Sequence, residues 1–374
     1  MNLIIKLKHN NLFESKLFVL ILILFVVCSY QKIILVDFLD DIFIIFMGIF
    51  YLIRLILKKL IKKNLLIYYF ILFFYGINSI INHSISDLFI LLKICIILFF
   101  CFETYFTTSD NKTKGLQLLL FISIPNVICG FYQYFKTYIQ GVYISGKYDM
   151  TLGYRLQGFL GHPIPYSLLI LAVLIILLFF VKKWYIQFIG MIISVFLIKY
   201  TASDFAYALA LLCIGMKCMV ILFNKLMKLR IKRKIIVSIT ITMIFFGSIF
   251  LLYKMSGEMN TIRYVSAIGV IRNINLVSFI VGHGIGAFRN SNYQEIYLFK
   301  VFYDMGIVGL GMLFHIFYSI IKENLKSGSY EGIAILTILL LNMVINDGYM
   351  IPFIIMVPIF CSKIKPSPAC ISNK

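Results

Sequence analysis

Residues 163–199 read PIPYSLLILAVLIILLFFVKKWYIQFIGMIISVFLIK. Two apolar runs, 163–181 and 184–199, flank the pair Lys182-Lys183, and the first run contains no charged residue. A helix needs ~20 apolar residues to cross about 30 Å of hydrocarbon, so each run has the composition of a span near the short end of that range. Working outward, similar runs fall at 17–36, 42–57, 64–81, 87–106 and 115–135 before this stretch. After it they fall at 202–222, 235–253, 295–317, 332–347 and 350–361. The 374-residue chain is 61% hydrophobic and 13% charged, with a mean hydropathy of +0.98, which excludes a water-soluble fold. The expected fold is therefore an all-α polytopic integral membrane protein of about 12 transmembrane helices.

The formal charge of +20 comes from 35 Lys+Arg against 15 Asp+Glu. In a soluble chain this balance would suggest nucleic acid as a partner, but here its distribution follows the loops. With the N-terminus inside, 24 of the basic residues lie on the cytoplasmic side or at its edge and nine lie outside. The positive-inside rule gives N-in and C-in. The cluster KLMKLRIKRK at 225–234 reads as a topology anchor, with contact to anionic lipid as the alternative. Trp184, beside two lysines at a span boundary, marks the membrane interface.

The first apolar run has no small-x-small cleavage site, so it is expected to stay in the protein. Eight cysteines without CxxC spacing or ordered His partners predict neither disulfides nor a structural metal. The two halves share no repeat in loop length or polar pattern, unlike many secondary transporters. Residues 1–374 are read as one membrane domain with two external polar stretches, 136–162 and 254–294.

In the first stretch, YRLQGFLGHPIPYSLL at 154–169 carries Gly158, Gly161, Pro163 and Pro165 just before a span, so the backbone must bend. Bent backbone near the membrane is tolerated where it is buried in protein or lines a wet cavity. Arg155 and His162 are thereby candidates to face that cavity; an ordinary surface loop with a Pro-started helix is the alternative. The second stretch is net positive, with Lys254, Arg263, Arg272 and Arg289 against Glu258. Long loops escape the positive-inside rule, but arginine also suits phosphate, because its planar fork makes bidentate charge-assisted hydrogen bonds. On a helix over 260–276, Arg263 and Arg272 are nine positions and half a turn out of phase. Arg263 is assigned to the site, Arg272 to water or headgroups.

GHGIG at 282–286 has no strand–helix–strand unit around it, so it is not a nucleotide loop; its glycines allow close approach to a ligand or a neighbouring helix. Lys300 and Asp304, four apart, can share a helix face and reduce the cost of burying charge. Gly306, Gly309 and Gly311 offer close helix packing. His315 is read as an interface residue, and Asn346 and Asp347 as lying at the outer end of a span.

Three pieces together resemble the O-antigen polymerase and O-antigen ligase superfamily, the Wzy-like membrane glycosyltransferases. They are RLQGFLGHPIPYS at 155–167, Arg263 upstream of GHGIG, and EIYLFKVFYDMGIVGLG at 295–311. The resemblance covers about 150–345. It implies a helical bundle related to C-type glycosyltransferases and catalysis on the extracytoplasmic face of the cell membrane. Its donor and acceptor would be undecaprenyl-diphosphate-linked oligosaccharides, with a chain-length regulator and a flippase as partners. Ligases begin the last motif with a His-Asn pair; Glu295-Ile296 here looks more like a capsule or exopolysaccharide polymerase. Ligation to another acceptor and flipping of lipid-linked sugars are the alternatives.

The family's Thr-x-Ser-Arg is replaced by Thr201-Ala202-Ser203-Asp204, so an arginine is missing, and Lys199 is close enough in sequence to supply a cation. By this resemblance Arg155, Arg263, His283 and Lys199 would bind the diphosphate, and Glu295 or His162 would act as the base. A carboxylate among arginines is a weaker base, whereas a histidine there is kept neutral and able to accept a proton. No metal or cofactor is implied.

Overall fold

The computed structural model describes residues 63–82, 109–142, 147–149, 153–161, 163–226, 268–269, 272, 274–285, 287–288, 297–327, 333 and 338. The described part is mostly helical. Its long helices are α1 (Lys63–Asn82), α2 (Ser109–Tyr134), α3 (Pro163–Phe180), α4 (Trp184–Tyr200) and α5 (Asp204–Leu226). They are followed by the six-residue α6 (Leu276–Val281) and by α7 (Tyr297–Ser327). The expected spans 64–81, 163–181 and 184–199 coincide with α1, α3 and α4 to within a residue. Helix α7 runs ten residues past its expected end, and α6 was not expected as a helix of its own. Among the described residues one helix segment, Asp204–Ile221, is long and apolar enough to cross a membrane; Tyr166–Phe180 and Trp184–Tyr200 are shorter apolar helices.

Helix α3 is the core. Every residue from Tyr166 to Ile176 is buried, as a helix apolar on all sides must be, and it packs against α2, α4 and α5. Pro163 is its first residue, where a fixed φ and a missing N–H cost nothing. At its other end the Gln187 side chain, from α4, donates to the carbonyls of Leu178 and Val181, which have no helical donor of their own. Gly190 brings α4 close, because a Cβ there would collide with Leu177.

The all-α expectation needs one correction. Lys147–Asp149 and Gly153–Arg155 form a short antiparallel hairpin, with Lys147 opposite Arg155. It sits between a π-helical turn, Phe135–Ile139, that extends α2, and a 3-10 turn, Gly158–Leu160. The expected bend before α3 is thus a hairpin followed by a tight turn.

Large apolar side chains face outward on α1 and α4. Phe70, Phe73, Phe74, Ile77 and Ile81 of α1 are exposed, as are Phe188, Ile189 and Ile192 of α4. The opposite face of α1 buries Leu72 and Tyr75.

Gly158 and Gly141 both have φ in the left-handed region, +54 and +66. A Cβ on Gly158 would run into the ring of buried Tyr166, whereas Gly141 has open space around it. Gly141→Ala is therefore expected to cost only the conformational strain, about 1–2 kcal/mol. Gly158→Ala adds an overpacking cost of similar size, roughly 3 kcal/mol in all. Thermal unfolding of the two variants in detergent tests the difference.

Candidate functional site

The segment 153–161 is non-helical backbone laid against helices, so its peptide groups need partners. Helix α2 supplies them. Gln133 accepts from the backbone N–H of Gln157 (3.2 Å) and of Gly158 (2.9 Å), and its own amide donates to the Gly158 carbonyl (3.3 Å). Asn126 accepts from Phe159 N–H (3.1 Å), and Tyr166 Oη donates to the Asn126 carbonyl (3.3 Å). Asn126 and Gln133 are seven residues apart, two helical turns, so they lie on one face of α2. Both are buried.

Beyond this segment the hairpin is tied to the turn between α4 and α5. Leu156 N–H donates to the Tyr200 carbonyl (3.0 Å), and Arg155 Nε donates to the Thr201 carbonyl (2.7 Å). That bond fixes the plane of the Arg155 guanidinium, which is half-buried. Thr201 in turn donates its hydroxyl to the Ile198 carbonyl, and Ala202 holds φ +48, a strained value for a residue with a Cβ. Tyr138 Oη donates to the Tyr154 carbonyl (2.5 Å).

Around this junction the rings of Tyr134, Tyr138, Phe196 and Tyr200 pack on one another, with centroids 4.6–5.3 Å apart. Burial, and then the neighbouring Tyr200 phenol, push the Tyr138 hydroxyl above the ordinary phenol range. A guanidinium and three tyrosines thus meet at one end of α4. The cation can take an anion, and the rings can take the C–H face of a sugar.

A second cluster lies on α6 and α7. Helix α7 breaks at Gly306 (φ 62, ψ −159), a conformation open to glycine alone. The break removes the helical donors of Tyr303, Asp304 and Met305, and each carbonyl is taken from elsewhere. His283 N–H donates to Tyr303 O (2.8 Å), Gly284 N–H to Asp304 O (3.0 Å), and Tyr75 Oη of α1 to Met305 O (2.5 Å). The His283 ring stacks on Tyr303 at 4.3 Å, with its Nε2 shielded from solvent.

Of the residues singled out from the sequence, Arg155 and Lys199 come to the same junction, the first half-buried and the second exposed on the last turn of α4. His283 belongs to the α6–α7 cluster. His162, Arg263, Glu295, Asn346 and Asp347 lie outside the described residues, as does most of the expected helix over 260–276; Arg272 is helical and exposed. His315 is exposed on α7. Gly306, read from the sequence as a packing glycine, does pack closely, but as the point where the helix breaks. Lys300 and Asp304 are both buried on α7, and Asp304 also accepts from the Phe288 N–H. Asn126, Gln133 and Tyr138 were missed. Two amides seven apart inside the apolar run of α2 were a signal for the first two.

No family model, no curated protein and no solved structure matches this chain.

Replacing Gln133 with Leu would leave the donors of Gln157 and Gly158 without an acceptor, at about 1–3 kcal/mol each, whereas Gln133→Glu keeps the acceptor and gives up only the donor to the Gly158 carbonyl. Hydrogen exchange at 157–158 should rise at least tenfold in the Leu variant and by less in the Glu variant. The raised Tyr138 pKa means that the fold prefers the protonated phenol. Its anchor on Tyr154 is fully present below about pH 10 and is lost only as pH rises through the higher folded-state value. Exchange of the 153–156 amides, corrected for intrinsic rates, should therefore show no change in protection from pH 6 to 9.

Proposed function

We propose that this protein is a polysaccharide polymerase of the cell membrane. It would join undecaprenyl-diphosphate-linked oligosaccharide repeats at the extracytoplasmic face, within a bundle of about 12 transmembrane helices. The observation that carries the proposal is Arg155, locked by its Nε to the Thr201 carbonyl beside Tyr134, Tyr138 and Tyr200. A cation for diphosphate and aromatic faces for sugar occur together, on a bent segment whose backbone is satisfied by buried amides. Outward-facing phenylalanines and isoleucines on α1 and α4 support a lipid surround. The sequence resemblance over 150–345 supports the reaction class.

In this reaction the acceptor hydroxyl oxygen attacks the anomeric carbon of the donor. The C–O bond to diphosphate breaks with inversion, and the diphosphate leaves with the bonding pair. The acceptor proton passes to Glu295 or His162. Charge grows on the diphosphate as the bond breaks, so preplaced guanidinium groups stabilise the transition state more than the ground state. Arg263 and Arg155 take that role, with His283 and Lys199 as further diphosphate contacts. The Arg155–Thr201 bond also answers the missing family arginine: a guanidinium reaches the Thr201-Ala202-Ser203-Asp204 turn from the hairpin instead. In this scheme arginines do the work of a divalent ion on the lipid diphosphate.

Deleting the gene and analysing lipid-linked glycans tests the reading. Single unpolymerised repeats are the expected result; long unattached chains would indicate a ligase, and units trapped on the inner face a flippase. Glu295→Gln or His162→Ala should stop extension, and normal chain lengths in both would refute the assignment of the base. Arg155→Ala should cut extension at least a hundredfold and Arg155→Lys at least tenfold, because lysine cannot keep both the Thr201 bond and a forked contact. EDTA should leave a purified polymerisation assay active; loss of activity restored only by a divalent ion would count against the metal-free mechanism.

A further inference from the structure

The stretch from Leu276 to Phe288 follows the broken helix closely. Asn275 caps α6 through a reciprocal pair of bonds with Ser278, and α6 ends at Gly282 (φ 76). A Cβ on Gly282 would collide with the backbone of Asp304 and Met305, and one on Gly306 with the backbone of Ile280 and Gly282. The two glycines therefore interlock, main chain against main chain. From there the loop runs along the break, bonded at His283 and Gly284, and buries Ile285 and Phe288. Among the described residues, its last bond to α7 is from the Phe288 N–H, which donates to Asp304 Oδ1 at 2.8 Å.

We propose that Asp304 is a positioning residue for the polymerase reaction, acting through the loop 282–288 and not on the substrate. Its backbone carbonyl holds Gly284 and its carboxylate holds Phe288, one residue before Arg289. The chain then passes through Glu295 to Tyr297, the first residue of α7. The loop so held carries His283, a diphosphate contact in the proposed reaction. The effect comes through orientation, to which a reacting constellation is sensitive. The activity part of this inference rests on the polymerase reading; the anchoring of the loop does not.

The sequence reading of Asp304 was charge compensation for Lys300, and the two roles separate cleanly. Asparagine keeps an acceptor for Phe288 N–H and loses the charge; alanine loses both. Hydrogen exchange of peptides covering 282–288 in the full-length protein, together with glycan chain length in cells, reads the difference. Asp304→Ala should raise exchange at least tenfold and shorten the polymer at least tenfold, with Asp304→Asn within threefold of wild type on both. Should Ala fail to accumulate because Lys300 is left buried beside it, the double variant Lys300→Met/Asp304→Ala removes that charge and should show the same fast exchange. If Asn behaves like Ala, the carboxylate acts by charge and the proposal fails. It fails equally if exchange is unchanged in Ala and in the double variant, or if exchange rises while polymer length stays normal. A gene deletion that leaves glycans normal would instead reject the polymerase reading, with the exchange result still standing or falling alone.

Discussion

Peptide groups that leave a helix in apolar surroundings must find partners within the protein, and the described structure is organised by that requirement. It is met twice, by different means. Along 153–161 the partners are side chains, Asn126 and Gln133 of α2, with Tyr138 and the α4–α5 turn holding the hairpin. At the break in α7 the partners are mostly main chain, with three freed carbonyls taken by two loop amides and one phenol from α1. An unpaired peptide group buried in such a setting costs on the order of several kcal/mol, so neither irregular segment would persist without its partners.

The same bonding makes the irregular segments firm places from which to present chemistry. Arg155 is not a long side chain sampling rotamers at a loop tip: its Nε is bound and its backbone neighbour Leu156 is paired with Tyr200. In the proposed reaction that rigidity matters, because a guanidinium already in place needs no reorganisation as charge develops on the leaving diphosphate. The tyrosines around it are packed on one another, so the rings that would meet a sugar are likewise held.

Helix positions were legible in the sequence wherever composition alone decides them. The uniform apolarity of 163–181 marked an apolar helix of about span length, and α3 lies there; that it would be buried from Tyr166 to Ile176 was not read from the sequence. The Gly/Pro cluster at 158–165 signalled bent backbone, but not the hairpin before it, because Lys147–Asp149 and Gly153–Arg155 are too short and too polar to show a strand period. The pairing of Arg155 with Thr201 joins positions 46 apart, and no local pattern encodes it. Gly306 looked like any packing glycine in an apolar run; only the opposing glycine at 282 and the donors on its loop turn it into a break. Lys199 was singled out for nearness in sequence to the turn, and it sits there, exposed.

The spacing of Asn126 and Gln133 sets a limit on how α2 can change. Each residue advances a helix by about 100°, so one inserted or deleted between them would swing one amide off the shared face while leaving the other in place. One of the two side-chain supports for 157–159 would be unhooked, however conservative the added residue. The six positions between the two amides can therefore vary in identity but not in number, and drift in length must be absorbed outside them, in the first turns of α2 or in the polar stretch before the hairpin.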